Sequence, residues 1–442
     1  MNSYDVVLIN AKFCSDGERS SFPMGMLYLG SILISEGYKV VLLDYNLRQK
    51  PLSEIEKDIQ RINSPIFAIS SLSNGYSFVK GIVPIIRKNA PNSKILLGGA
   101  ITFGIPEFIL QKTGADVVIE GEAESCIVPL VKTILAGGEF WNVPGVYSTT
   151  ERNEIRRPRQ RQSVIQDLSA LPFPAWQLID ANEYINRLQH ALHSEHMKSF
   201  PIFASRGCPY TCRFCSPTLG KKFRVRTRDV AQEIELAIAQ YCIDDVWFTD
   251  EEFALSRARA MELCQIMRGI SRPLTFTCSM RVDRVSPEIL REMKEAGCRR
   301  ILYGVESGSP EILKAMNKGF TACQASEAIL ETRRQGIEAY VNFMFGYPGE
   351  TEDTIRQTSD FMKKHNLYSG FGFTTPLPGT KLFEDTLSAG KIQDLDSYLE
   401  SLGASWTTNL VINLTSIPTQ RLFELKRRIQ EETFPTRIVL KN

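Results

Sequence analysis

The chain has 442 residues, a net charge of +2, and a composition of 43% hydrophobic and 23% charged residues. That is ordinary globular chemistry with enough apolar residues for two or three cores, and it excludes a disordered or fibrous chain. Its basic stretches, RNEIRRPRQR at 152–161 and REMKEAGCRR at 291–300, are short and interrupted, so they read as solvated faces rather than a nucleic-acid surface.

The N-terminal MNSYDVVLINAKF runs straight into a strand without a signal-peptide pattern, and no long apolar run follows. A cytoplasmic location without a membrane span is therefore expected. In such a reducing compartment the ten cysteines are expected as free thiols. Seven of them, Cys14, Cys126, Cys242, Cys264, Cys278, Cys298 and Cys323, are scattered and read as small core residues.

Residues 4–136 alternate apolar runs, YDVVLIN, YKVVLLDY, PIFAIS, SKILLGG and ADVVIEG, with amphipathic segments such as YSFVKGIVPIIRKN. Continuously apolar strands are those buried on both faces by crossover helices, so residues 1–138 are expected to form an α/β domain on a doubly wound parallel sheet of about five strands. Residues 139–200 read as a connector, with a hairpin in VPGVYSTTERNEIRRPRQRQ and a proline-bearing loop in LSALPFPAW. Its HxxHxxH run, His190, His193 and His196, lacks a carboxylate or cysteine to complete a metal set and reads as a polar face.

A second alternation fills 201–390, with strands at PIFASRG, DDVWFTD, LTFTCSMR, RRILYGVES, EAYVNFMFG and YSGFGFTTP. Six βα units make a partial barrel, whose chemistry belongs at the C-terminal strand ends. Residues 391–442 read as a small helical cap. Trp406, Tyr398 and Tyr347 are aromatic candidates there and at the barrel mouth, either as contacts or as core.

The loop after the first barrel strand, RGCPYTCRFCSP, carries Cys208, Cys212 and Cys215 as CxxxCxxC, with no second cysteine pair elsewhere to close a structural zinc site. An iron–sulfur cubane takes four ligands, so three thiolates leave one iron open to an outside ligand. This motif, with Phe214 before the third cysteine, resembles the radical S-adenosylmethionine (SAM) superfamily. The resemblance implies a [4Fe-4S] cluster whose open iron binds SAM, and a one-electron donor such as flavodoxin or ferredoxin. It further implies SAM contacts from Phe214, from Asp250 and Glu251 in FTDEEF, from Ser279 and Arg281 in TCSMR, from Glu306 in GVESGS at the ribose, and from Gly346 beside the adenine.

In the first domain the GxGxxG dinucleotide fingerprint is missing. Instead Ser70, Ser71, Leu72 and Ser73 follow the third strand and Gly98, Gly99 and Ala100 the fourth, resembling the SxL and GG elements of cobalamin-binding domains. The loop FPMGMLYLG, with Met24 and Gly25, and the loop IEGEAES, with Glu120 and Gly121, complete a resemblance to the cobalamin-dependent radical SAM enzymes. The DxHxxG histidine is absent, so either no cobalamin binds and the domain keeps the fold alone, or, as the resemblance implies, cobalamin binds with its base displaced and no histidine on the cobalt.

The resemblance implies a methyltransferase that uses SAM twice, once to methylate cobalamin and once to generate the radical that activates carbon on a small-molecule or peptide substrate. Two alternatives stand beside it. One is a cyclase or rearrangement enzyme with the same cofactors, like the anaerobic porphyrin cyclases, and the other a non-catalytic iron–sulfur or cobalamin sensor.

Overall fold

The computed structural model describes residues 2–13, 22–150, 152, 154–191, 197–226, 228–367, 371–403 and 409–433, and divides into two compact units. Cys14, His193, His196 and Trp406 lie outside the described residues, as does the side chain of His190.

The first unit comprises Met1–Lys198, Ser216–Gly220 and Leu377–Ser405. Its sheet contains β1 (Val6–Asn10), β2 (Val40–Asp44), β3 (Ile66–Ser70), β4 (Lys94–Gly98) and β5 (Val117–Ile119), all parallel, in the order β2-β1-β3-β4-β5. Val6, Val7, Leu8 and Ile9 are wholly buried, as continuous apolar strands require. Registry aligns the strand ends: Asn10 pairs with both Asp44 and Ser70, and Ser70 with Gly98. The chain leaves β1 toward β2 on one side and β3 on the other, which opens a crevice at these carboxyl ends.

The sheet exceeds the five expected strands. The connector's hairpin, β6 (Val146–Thr149) and β7 (Ile155–Arg156), adds antiparallel to β5. Val146 and Ser148 bury alternately with Tyr147 and Thr149, the period of a strand with one covered face. Residues 377–405, expected as the barrel's end and the start of a cap, also belong to this unit and carry helices Lys381–Ser388 and Leu395–Leu402. Tyr398 is core there.

The second unit comprises Ser199–Cys215, Lys221–Pro376 and Trp406–Asn442. Six parallel strands follow one another in chain order: β8 (Ser199–Ile202), β9 (Asp245–Phe248), β10 (Thr275–Ser279), β11 (Cys298–Glu306), β12 (Glu338–Phe345) and β13 (Phe371–Phe373). This is the expected partial barrel, with its crossover helices between the strands. Phe248, Phe253 and Phe276 pack with ring centroids 5.0–5.7 Å apart in its core. The C-terminal helix Thr419–Thr433 packs on the helix Glu352–Lys364, joined by Arg421 to Glu352 at 2.8 Å.

Cys126, Cys264, Cys278 and Cys298 are buried as expected, but Cys242 and Cys323 are exposed, because both lie on the outer side of crossover segments. Among the described residues no helix is long and apolar enough to cross a membrane.

Candidate active site

The cysteine loop hangs from a two-residue antiparallel clasp, Ser205–Arg206 against Arg224–Val225. Three buried groups fix its base. Asp250 accepts the Ala204 amide at 3.1 Å, the Ser205 amide and the Ser205 hydroxyl at 2.6 Å. Arg259 donates to the carbonyls of Ala204 at 2.7 Å and Arg226 at 3.0 Å, and Arg226 pairs with the buried Glu233. Backbone ends tied this way cannot splay, and the loop starts from one direction.

The segment after β11 holds the loop's far side. Asn317, at φ +56°, donates to the carbonyl of Thr211 at 2.9 Å and its hydroxyl at 2.8 Å, and the Arg213 amide donates to Met316 at 3.0 Å. Lys318 lies 5.4 Å above the Phe214 ring, and Arg281 lies 3.7 Å above Tyr210. Cations over aromatic faces fix the ring planes.

Burial pushes the Cys208 thiol up and Cys215 up to about 12; the charge of Cys212 adds to both, while Lys318 opposes the shift at Cys215. The Cys215 side chain reaches solvent on one side although protein crowds its sulfur. The three thiols lie within eight positions of one loop, and a metal would have to displace their protons. Among the described residues no three His, Cys, Asp or Glu side chains converge on a single ion. A cubane asks for less than that, since each thiolate takes its own iron corner, and the loop fits it.

Beside the loop, β11 ends in a register shift between Gly304 and Glu306. Glu306 stands at φ +72°, a left-handed conformation that costs a non-glycine residue about 1 kcal/mol or more and gathers at functional sites. Its partly buried carboxylate faces Lys318 Nζ at 3.5 Å, and desolvation raises its pKa against that cation.

The other SAM candidates divide into exposed groups and groups with internal duties. Glu251 is exposed and Ser279 half-buried at the mouth. Arg281 binds Asp283 at 2.9 Å and donates to the Lys318 carbonyl. Asp250 is spent on the loop base, with burial raising its pKa to about 6. The Gly346 amide donates to Glu350 at 2.6 Å, and so does that of Tyr347 at 3.1 Å; burial takes Glu350 to about 7. Tyr347 is core.

Four residues here escaped the sequence reading. Asn317 and Lys318 sit in MNKGF, Glu350 in YPGET, and Glu252 accepts the Arg281 amide at 3.2 Å while burial raises its pKa to about 8. A Lys–Gly after a buried β-strand end was the available signal for Lys318.

In the first unit, Ser70, Ser71, Gly98 and Gly99 meet at the ends of β3 and β4. Gly99 has φ +86°, and a Cβ there would lie 2.6 Å from the Ser71 carbonyl and 2.7 Å from Ser70 Oγ. Only glycine fits. A Cβ at Gly98 would meet just the Ile119 carbonyl at 3.8 Å, so the adjoining space is open. Leu72 is 41% exposed beside it, while Ser71 and Ser73 are buried. Ala100 opens a short helical turn, Glu120 accepts the Gly104 amide at 2.6 Å, and Gly121 turns at φ +89°. Met24 starts a helix and is buried, and nothing crowds Gly25. An open cradle of small residues at the carboxyl ends of β3 and β4, one strand over from the β1/β3 switch point, fits a corrinoid tail.

Residues 202–362 match the radical SAM superfamily model and residues 17–131 the B12 binding domain model. The chain belongs to the radical SAM superfamily and carries a B12-binding domain. It is 28% identical over 367 residues to an uncharacterized methyltransferase of Pyrococcus horikoshii, covering 82% of this chain and 78% of that one. It is 24% identical over 388 residues to an anaerobic magnesium-protoporphyrin IX monomethyl ester cyclase of Rubrivivax gelatinosus, covering 85% and 68%. Its fold is shared with the radical S-adenosylmethionine methyltransferase TsrM from Kitasatospora setae, solved with cobalamin and a [4Fe-4S] cluster bound. The TM-score is 0.72 at 22% identity, over 88% of this chain and 76% of that one.

Two outcomes follow from this geometry. Glu306→Gln removes a charged acceptor and should weaken SAM binding by about ten- to hundredfold, the equivalent of about 1.5 to 3 kcal/mol, in equilibrium binding to the reconstituted protein; unchanged affinity would make Glu306 a structural partner of Lys318 alone. Gly98→Leu fills the open space without touching the Gly99 turn, so cobalamin affinity should fall by about tenfold or more in spectral titration while iron content stays at the wild-type level; wild-type affinity would place the corrinoid elsewhere.

Proposed function

We propose that this chain is a cobalamin-dependent radical SAM methyltransferase acting on an unactivated carbon of a small-molecule or peptide substrate. The observation that carries the reading is the pairing, in one chain, of a three-cysteine loop at the mouth of a partial barrel with a glycine–serine cradle at the carboxyl edge of a doubly wound sheet. The methyltransferase relative and the shared fold support it.

Cys208, Cys212 and Cys215 hold a [4Fe-4S] cluster. Glu306 binds the SAM ribose, Ser279 and Arg281 lie toward its carboxylate, Glu251 toward its amino group, and Phe214 and the Gly346 main chain flank it. Asp250 acts one step back by fixing the loop base. Ser70, Ser71, Leu72, Ser73, Gly98, Gly99 and Ala100 receive the cobalamin tail, with Met24, Gly25, Glu120 and Gly121 at the rim. No histidine stands in FPMGMLYLG, so that loop would offer a bound cobalamin no imidazole ligand. When bound, the cluster with SAM supplies a hydrogen-abstracting radical, and cobalamin supplies the methyl group. The chain's own part is to orient these groups and exclude water, with electrons from a flavodoxin- or ferredoxin-type donor.

A second reading, radical cyclisation with the same cofactors, is favoured by the likeness to the porphyrin cyclase. Methyl-labelled SAM separates the two. Under anaerobic reduction the label should pass to bound cobalamin in the wild type, whereas a cyclase leaves the corrin unlabelled. A triple alanine variant at Cys208, Cys212 and Cys215 should hold no iron and form no 5'-deoxyadenosine; its formation there would refute the assignment.

A further inference from the structure

Residues Leu377–Leu402 lie outside the span that matches the B12-binding model, yet they pack into the first unit and grip two of the loops assigned to cobalamin. At one end Gly379 presses on the loop after β4. A Cβ at Gly104 would lie 2.4 Å from Gly379 Cα and 2.5 Å from its nitrogen, and a Cβ at Gly379 would lie 2.1 Å from the Phe103 ring. Both glycines have positive φ, +74° and +78°, so this main-chain approach excludes other residues. The gripped loop is itself tied to the cradle. Ile101 donates to the Ser71 carbonyl at 3.1 Å, and Thr102 Oγ1 to the carbonyls of Gly99 at 2.9 Å and Ile119 at 2.8 Å.

At the other end the helix Leu395–Leu402 packs against Ser73–Gly75, directly after the serine loop of β3. Asp396 accepts the Tyr76 hydroxyl at 2.7 Å and Lys80 at 2.9 Å, and pairs with Lys112 at 3.3 Å; Glu400 adds a second contact to Lys80 at 2.6 Å. Hydrogen bonds from Lys80 and Tyr76 hold the Asp396 carboxyl down at about 2, so the clasp stays charged in neutral solution. One segment thus spans the serine side and the glycine side of the cradle.

We propose that Leu377–Leu402 is a working part of the cobalamin site, with Gly379 and Asp396 as positioning residues that hold the loops after β3 and β4 in the shape that admits the nucleotide tail. The inference rests on the cobalamin reading above. By linkage, whatever the segment contributes to binding, bound cobalamin returns as protection of the segment.

The test uses the full, reconstituted chain with hydroxocobalamin as the probe. Limited trypsin digestion should slow several-fold at Lys381 and Lys391, both exposed in the segment, when hydroxocobalamin saturates, while cleavage at the exposed Lys364 of the second unit keeps its rate. Asp396→Asn should weaken hydroxocobalamin binding several-fold at unchanged iron content and helix content, and Asp396→Glu should restore part of the affinity. Unchanged cleavage at saturation, or wild-type affinity in Asp396→Asn, would overturn this inference and leave the cobalamin reading standing. A wild-type chain that binds no hydroxocobalamin would overturn both.

Discussion

Parallel strands are the constraint from which both candidate sites follow. A crossover must carry the chain back to the same edge before the next strand can start, so every loop that follows a strand emerges on one side of its sheet. In the first unit this lines up Asn10, Asp44, Ser70 and Gly98 in one row. In the second it collects the cysteine loop, FTDEEF, TCSMR, GVESGS and FGYPGE at the ends of successive strands. Residues far apart in the chain meet because topology leaves their loops nowhere else to go.

The barrel mouth concentrates carboxylates in low-dielectric surroundings. Asp250, Glu252 and Glu350 are buried and Glu306 is mostly so, and desolvation is the largest cause of each raised pKa. Such groups cost stability unless hydrogen-bonded. Three of them accept main-chain amides: Asp250 from Ala204 and Ser205, Glu252 from Arg281, and Glu350 from Gly346 and Tyr347. Their cost is offset by loop definition. Glu306 differs in that, among the described residues, its partner is a cation, Lys318 at 3.5 Å, and not a main-chain amide, and its backbone is strained, so its oxygens retain acceptor capacity for a ligand.

Much of this was legible in the chain because it is written in local patterns. Continuous apolar runs located ten of the eleven strands in the two parallel series with little ambiguity, and CxxxCxxC located the cluster loop. The final barrel strand, Phe371–Phe373, was also expected, in a run whose first residues lie outside the described part. What escaped depends on contacts that no local period encodes. The hairpin β6–β7 reads as a free connector until its pairing with β5 is seen. Asn317 and Lys318 act on a loop that precedes them by about a hundred residues. Residues 377–405 return to the first unit after the whole barrel has been completed, betrayed by the close approach of Gly379 to Gly104 and by the contacts of Asp396 with Tyr76 and Lys80.

The central claim is that three cysteines hold a cubane whose remaining iron is open to SAM. Electron paramagnetic resonance of the reconstituted, reduced protein, recorded as SAM is added, tests it most directly. The account predicts a reduced [4Fe-4S] signal that changes with saturable dependence on SAM, because an outside ligand reaches the open iron. A cluster signal that stays the same at every SAM concentration, or a reduced protein with no cluster signal, would contradict it.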